Sequence, residues 1–460
     1  MNYNLLIIGG GPAGYYAAER ATDAGFRTLL LEERNLGGVC LNEGCIPTKC
    51  LLYAAKIATS ALYGEGYGIY AENLWFDHAK ALERKNTVVQ KLTSGVASSL
   101  KQRKVDAIRT HAVIRERTED GITIEVNGVI YEGERLLVCT GSEPVIPPIA
   151  GLNKAIEDGF AITSREMLDI VNVPKRLVIV GGGVVGLELA NYFAVAGAEV
   201  TVVEMLSEVG GAIDADIAKT LRTSLEKLGI RFMLGTKAEG FEQGKVKVRN
   251  EEGAETLPAD NALICIGRKP RIAGAGIEEL GLYTENGAIV TDAQMRTNIP
   301  GVWAAGDVNG KMMLAHTAYR EAAVAINDMA GVADAMRYDA IPQIIYTTPE
   351  AAGVGETEQS AASKGYIFDK TVLPLQYSGR YVAENITGDG FVKLLAERRT
   401  GRILGFHIVG SYASEIILSA AMMVGAKWTA EAALKVIYPH PTVGEILRDA
   451  LLDITERGSK

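Results

Sequence analysis

Residues 7–32 read IIGGGPAGYYAAERATDAGFRTLLLE, and residues 179–204 read IVGGGVVGLELANYFAVAGAEVTVVE. Each stretch is an apolar strand, a G-x-G-x-x-G turn, a helical run, a glycine and a second apolar strand that closes on a glutamate. The interval from Gly9 to Glu32 equals that from Gly181 to Glu204. In such a βαβ unit the first glycine (Gly9, Gly181) permits the tight turn out of the strand. The second (Gly11, Gly183) lets the backbone reach a pyrophosphate, and the third (Gly14, Gly186) lets helix and strand pack closely. The helix N-terminus then offers unpaired N–H groups and a positive dipole end to the phosphates. Glu32 and Glu204 stand where ribose hydroxyls need acceptors. A carboxylate at Glu204 repels a 2′-phosphate, so the second site is expected to prefer NAD over NADP. Two such units in one chain imply two adenine dinucleotides, and so two redox carriers able to exchange electrons.

The remaining composition bounds the possibilities. The 460 residues are 48% hydrophobic and 22% charged, a globular balance with room for about three or four domains. A formal net charge of −9 argues against nucleic acid and anionic membrane as partners. No apolar run is long enough to span a bilayer. The first strand begins by Leu5 with no basic segment before it, so a targeting peptide is not expected and a cytoplasmic location is. In that compartment the five cysteines are not expected to be structural staples.

Three of those cysteines share the stretch GGVCLNEGCIPTKC: Cys40, Cys45 and Cys50. Close cysteines in a reducing compartment are usually metal ligands or a redox pair. No second cysteine pair or histidine cluster lies nearby to complete a metal site, so no metal is expected and Cys40–Cys45 reads as the redox pair. Gly37, Gly38 and Gly44 allow the irregular path that this spacing needs, because regular helical spacing would splay the two side chains. Cys50 falls within an apolar helical pattern and reads as packing. Cys139 in VCTGSEP and Cys265 in ICIGRKP read as small buried strand residues.

In motif order the chain resembles the pyridine nucleotide–disulfide oxidoreductases along essentially its whole length. The resemblance rests on GGGPAG, GGVCLNEGCIPTK, VCTGS, GGGVVGLE, ICIGRKP, GVWAAGD and the C-terminal HPTVGE. It implies an α/β fold with two Rossmann-like domains, for FAD and NAD, plus a C-terminal α+β dimerisation domain. Residues 1–147 would form the FAD-binding domain, 148–267 the NAD-binding domain, 268–337 a central domain returning to FAD, and 338–460 the interface domain. It places FAD at Gly9, Gly11, Gly14 and Glu32, and NAD at Gly181, Gly183, Gly186 and Glu204. Gly141 and Gly267, in the links after two strands, would lie against the cofactors. Asp307 of GVWAAGD matches the acid that bonds the ribityl chain, with the helical pattern from about His316 aimed at the same region. Lys49 matches the lysine beside the flavin ring, and Glu188 the glutamate that pairs with it near the nicotinamide; the first repeat has Tyr16 at the Glu188 position. His440 and Glu445 match the family's His–Glu dyad. Several positions depart from the family's habit: Tyr438 and Thr348 stand where histidines are common, Gly444 where serine is frequent, and Cys139 and Cys265 where alanine is usual. None of them removes a catalytic group.

The activity so implied is oxidation of protein-bound dihydrolipoamide with reduction of NAD+ to NADH. His440, held by Glu445, would take a proton from a substrate thiol. The thiolate would attack Cys40, the outer sulfur, and Cys45 would pass electrons to the flavin and on to NAD+. The implied partners are a second copy of the chain and a lipoyl-bearing protein of a 2-oxoacid dehydrogenase complex or the glycine-cleavage system. A glutathione-type reductase would carry basic residues after the second strand, where Met205 and Leu206 follow Glu204. A structural flavoprotein subunit would have a broken Cys40–Cys45 or His440–Glu445 set. The C-terminal third is expected to hold strands in IIYTTPE, FVKLLAE and ILGFHIVG and helices near 411–426, 429–437 and 442–455. The run SEIILSAAMMVGA should present an apolar face.

Overall fold

A computed structural model describes residues 2–118 and 121–458. The chain divides into two compact units: Met1–Cys50, Lys80–Val145 and Gly267–Tyr338 in the first, and Leu51–Ala79, Ile146–Ile266 and Asp339–Lys460 in the second.

The first unit is built on a five-stranded parallel sheet in the order Val302–Ala304, Leu136–Val138, Leu5–Ile8, Thr28–Glu32, Asp106–Arg109. Leu5–Ile8 is central and every residue in it is buried, as a strand covered on both faces must be. Helix Pro12–Asp23 leaves it through the glycine turn, with proline in its first turn, where a missing N–H costs nothing. The helix buries Ala13, Ala17, Ala18 and Ala21, and helix Ala315–Met329 buries Ala318, Ala322 and Ala325; small side chains let helices approach closely. The β-rich return is a second sheet ordered Asn2–Tyr3, Val129–Gly133, Ile122–Val126, Val113–Arg117. Strands Ser142–Pro144 and Arg268–Pro270 pair as an antiparallel ribbon.

The second unit repeats the arrangement. Its parallel sheet runs Ala161–Thr163, Asn261–Ile264, Arg176–Val180, Glu199–Val203, Arg231–Met233, again with the strand before the glycine turn at its centre. Helix Val184–Val195 is buried nearly all round, from Gly186 to Phe193. A five-stranded antiparallel sheet follows, ordered Gln343–Ile345, Ala351–Gly355, Ile403–Val409, Phe391–Glu397, Phe368–Pro374. Helix Ala413–Gly425 packs on it through Ile416, Ile417, Ala420, Met423 and Val424. Lys393 ties that sheet to the helix Ala215–Lys227. It is 1% exposed and meets Asp214, the helix N-cap, at 2.8 Å, Asp216 at 2.5 Å and Glu358 at 2.6 Å. Leaving one charge of such a buried set unpaired would be expensive.

Four local expectations are corrected. IIYTTPE is a strand only as far as Ile345, because the next backbone donors go elsewhere: Tyr346 N–H to Glu188 and Thr348 N–H to Asn191. The helix near 429–437 is only Ala430–Ala433, capped by Thr429, and the last one begins as the 3₁₀ turn Val443–Glu445 before Ile446–Gly458. Cys139 and Cys265 each sit one residue beyond their strands, and only Cys139 is fully buried. Their carbonyls back onto the glycine turns described next.

Candidate active site

The two glycine turns match in detail. Gly9 and Gly181 have φ of +104° and +110°, a left-handed conformation that favours glycine. A Cβ there would stand 2.1 Å from the Cys139 carbonyl oxygen in the first turn and 2.5 Å from that of Cys265 in the second. A Cβ on Gly14 would come within 1.7 Å of the Gly9 oxygen, and one on Gly186 within 2.1 Å of the Gly181 oxygen. Gly11 and Gly183 are the N-caps of their helices, and neither helix start is capped by a side chain. Uncapped first-turn N–H groups are what a pyrophosphate would occupy, so both turns fit a dinucleotide. The surroundings of the two caps differ. A Cβ on Gly183 would meet open space, whereas Gly11 has the Gly38 Cα within 3.8 Å of that point.

Glu32 and Glu204 both accept from backbone N–H groups. Gly10 N–H donates to Glu32 Oε2 at 2.5 Å and Arg34 N–H to Oε1 at 2.7 Å. Gly182 N–H donates to Glu204 Oε2 at 2.7 Å and Leu206 N–H to Oε1 at 2.7 Å. Each carboxylate therefore braces its own glycine loop and the turn after its strand.

Cys40 lies in the short helix Gly38–Glu43, and Cys45 begins the helix Cys45–Leu62. Gly44 between them leaves helical geometry (φ −149°, ψ −106°), so the chain reverses enough for the thiols to hydrogen-bond. Lys49 is one turn after Cys45, on the same helix face, and its charge acts on Cys40. The Cys40 thiol is pushed well above the usual range, first by its hydrogen bond with Cys45, then by burial, with Lys49 pulling the other way. Cys50 is half-buried, and burial raises its thiol.

The turn around Asp307 belongs to the same unit. Strand Val302–Ala304 ends before Gly306, and Asp307 opens a 3₁₀ turn. Ser142 Oγ donates to Asp307 Oδ2 at 2.5 Å, and Arg268 Nε donates to Ser142 Oγ at 2.7 Å. This fixes one carboxylate oxygen, Oδ2. Helix Ala315–Met329 also starts without a side-chain cap. Gly141 accepts the Arg271 N–H at 2.9 Å, and Gly267 accepts that of Val145 at 3.0 Å, so both glycines anchor the ribbon beside this turn.

Glu321 is a residue that sequence reading missed. It is fully buried, and it accepts from Gly306 N–H at 2.6 Å and from the Tyr338 hydroxyl at 2.6 Å. Burial raises its carboxyl above the ordinary range, with these hydrogen bonds pulling back. The available signal was an acid among the buried positions Ala318, Ala322 and Ala325 of its helix.

In the second unit, His440 Nδ1 bonds Glu445 Oε2 at 2.8 Å; the Glu445 side chain is 4% exposed and that of His440 73%. A carboxylate on Nδ1 fixes the tautomer that leaves Nε2 with its lone pair. Glu188 is buried and accepts the Tyr346 N–H at 3.0 Å. The predicted residues therefore form two sets: Cys40, Cys45, Lys49 and Asp307 in the first unit, and Glu188, His440 and Glu445 in the second.

Comparison with known proteins adds the following. The pyridine nucleotide-disulphide oxidoreductase family matches residues 3–322, and its dimerisation domain matches residues 341–451. A dihydrolipoyl dehydrogenase of Thermus scotoductus is 39% identical over 97% of this chain and 96% of its own. One of Chlorobaculum tepidum is 37% identical over 98% and 97%. Among solved structures, LpdA from Mycobacterium tuberculosis superposes with a TM-score of 0.88 at 26% identity, covering 98% of this chain and 99% of that one. The HOCl-induced flavoprotein disulfide reductase RclA from Escherichia coli does so at 0.85 and 28%, covering 98% and 99%.

Proposed function

Because the chain belongs to the pyridine nucleotide-disulphide oxidoreductases, we propose that it has dihydrolipoyl dehydrogenase activity, oxidising protein-bound dihydrolipoamide and reducing NAD+. The observation that carries this reading is the Cys40–Cys45 thiol contact beside Lys49, in the same unit as a braced dinucleotide turn. FAD, when bound, supplies the two-electron carrier between the thiol pair and NAD+.

The chain's own residues account for the rest. His440 Nε2 takes a proton from one substrate thiol, while Glu445 stabilises the charged imidazole. The substrate thiolate attacks Cys40 Sγ, and the electron pair of the Cys40–Cys45 bond leaves on Cys45. Lys49, one turn after Cys45 on the same helix, lies on the side where that charge develops. The second substrate thiol then closes the lipoyl ring and releases Cys40. Glu204 accepts from the ribose of NAD and opposes a 2′-phosphate, while Asp307 Oδ1 and the Gly9–Gly14 turn hold FAD.

We assign residues 1–147 and 268–337 to FAD, 148–267 to NAD and 338–460 to dimerisation. Helix Ala413–Gly425 supports the last assignment. Leu418 and Met422, one turn apart on its outer face, are each 63% exposed, an apolar stripe suited to a second copy. Among the described residues no helix is long and apolar enough to cross a membrane. We place the enzyme in the cytoplasm, with a lipoyl-bearing protein as substrate.

The test compares NAD+ reduction by dihydrolipoamide with NADPH oxidation by glutathione disulfide. The first is expected to exceed the second in kcat/KM by about 100-fold or more. The reverse ratio would overturn the reading.

A further inference from the structure

In the first sheet, strands Leu136–Val138, Leu5–Ile8 and Thr28–Glu32 are neighbours, run parallel and end at the same edge. The glycine turn leaves the middle one and is held from both sides. A Cβ on Gly9 would stand 3.2 Å from the Thr140 nitrogen, just beyond one outer strand. Gly10 N–H donates to Glu32, the last residue of the other. A dinucleotide on such a sheet lies in the crevice at this edge, with its adenosine ribose at the acid that closes the second strand. The adenosine end of FAD would thus lie between the residues after Val138 and those after Glu32.

Arg271 bridges that interval. Its backbone is moored beside the first outer strand: its N–H donates to the Gly141 carbonyl at 2.9 Å, and the Thr140 hydroxyl donates to its own carbonyl at 2.6 Å. Its guanidinium donates to Glu33 Oε2, one residue past Glu32, at 2.5 Å. His111 Nδ1 stands 3.6 Å from Glu33 Oε1. The two outer strands are about 10 Å apart, so the Arg271 side chain crosses the end of the middle strand, where the glycine turn begins. Lys269, two residues earlier, behaves differently. It pairs at 3.0 Å with Glu143, its register partner on the same ribbon, and crosses nothing.

We propose that the Arg271–Glu33 pair is a clasp over the adenosine end of FAD, which has to open before the flavin leaves. The proposal rests on FAD occupying the first turn and not on the identity of the dithiol. Exposed ion pairs contribute little to stability, and these two side chains are 36% and 40% exposed. A clasp asks for no more than that. Release proceeds from the open fraction alone, so a pair that favours the closed form about fivefold slows departure by the same factor. Arginine suits the task because its planar fork holds a carboxylate in one orientation. Glu33 is the fixed post, since it follows the strand end that Glu32 ties to the glycine loop.

The test is flavin exchange. Holoenzyme carrying isotopically labelled FAD is held in excess unlabelled FAD, and the flavin retained after gel filtration is followed by mass spectrometry. Arg271→Gln should speed exchange about fivefold, and Glu33→Gln should do so by a similar factor. The double variant should be no faster than either, because both changes break the same pair. Arg271→Lys keeps a charge within reach and should recover most of the loss. Added salt should speed exchange in the wild type and leave Arg271→Gln unchanged. Lys269→Gln removes a neighbouring cation and spares the clasp, so it should exchange at the wild-type rate. Factors that multiply in the double variant, or Arg271→Gln no faster than Lys269→Gln, overturn the proposal. Turnover of dihydrolipoamide plays no part in the readout, so an inert enzyme with these exchange rates overturns the substrate reading and leaves the clasp standing.

Discussion

Glu204→Ala separates two jobs held by one carboxylate. In the wild type Glu204 accepts the Gly182 and Leu206 N–H groups, each at 2.7 Å. The substitution orphans both donors. Hydrogen bonds to a charged group are worth about 1.5–3 kcal/mol each where water is excluded. The Leu206 donor is exposed and the Gly182 donor half-buried, so water replaces the first cheaply and the second sets the scale. A loss of about 2 kcal/mol in the order of the loop, taken from coenzyme binding, raises the NAD+ Kd about 30-fold. NADP+ gains relief from repulsion but meets the same loosened loop. The loosened loop weakens both coenzymes alike, so the NAD+/NADP+ ratio should narrow through the repulsion relieved and the ribose acceptor lost, while NAD+ affinity falls in absolute terms. Glu204→Gln keeps an oxygen for Gly182 and should recover most of the loss. Isothermal titration of the holoenzyme with each coenzyme measures this. Unchanged NAD+ affinity with NADP+ rising to match it would refute the brace.

Three further outcomes are expected. Cys40→Ser should leave Cys45 as a lone thiolate next to FAD and show a long-wavelength absorption band without reductant; an unaltered spectrum would make the pair structural. Cys40→Ser and His440→Gln dimers should each be nearly inactive, and mixed dimers should regain about half the wild-type rate, because one of the two sites recovers both groups; verified mixed dimers that stay inactive would assign His440 to its own chain's cysteines. Burial, first among its causes, holds buried His407 below 6.5, where Asp214, Lys393 and Glu358 act on it. The unfolded chain then binds a proton that the folded chain does not, so stability is lost as pH falls below 6.5. His407→Gln should flatten that limb of the melting curve against pH, and an equally steep limb would contradict it.

The parts of the fold that could be read in advance are those whose cause is local. A strand, a glycine turn and a helix are neighbours in sequence, so both repeats were visible. The cysteine pair was legible because Gly44 sits between its members. What could not be read depends on partners far apart in the chain. IIYTTPE has a strand's apolar pattern, but Glu188 and Asn191 capture its backbone donors from more than one hundred and fifty residues away. Nothing in the sequence near Glu321 names Gly306 as its partner, and Arg271 meets Glu33 from more than two hundred residues away. The glutamates were placed at a ribose by type and position. Their hold on backbone N–H groups leaves no mark in residue type.

The two turns serve ligands with opposite itineraries. NAD+ leaves as NADH in every cycle, whereas FAD ends each cycle as it began. Their glycines and acids are alike, but the neighbours of the two caps are not. Above Gly183 there is open space; against Gly11 stands Gly38, the first residue of the helix that bears Cys40. The first turn is thus packed against the segment that holds the reactive sulfur, and the second has no such neighbour at its cap. A shift of the Cys40 helix is therefore felt at the FAD turn, and at that turn alone of the two caps.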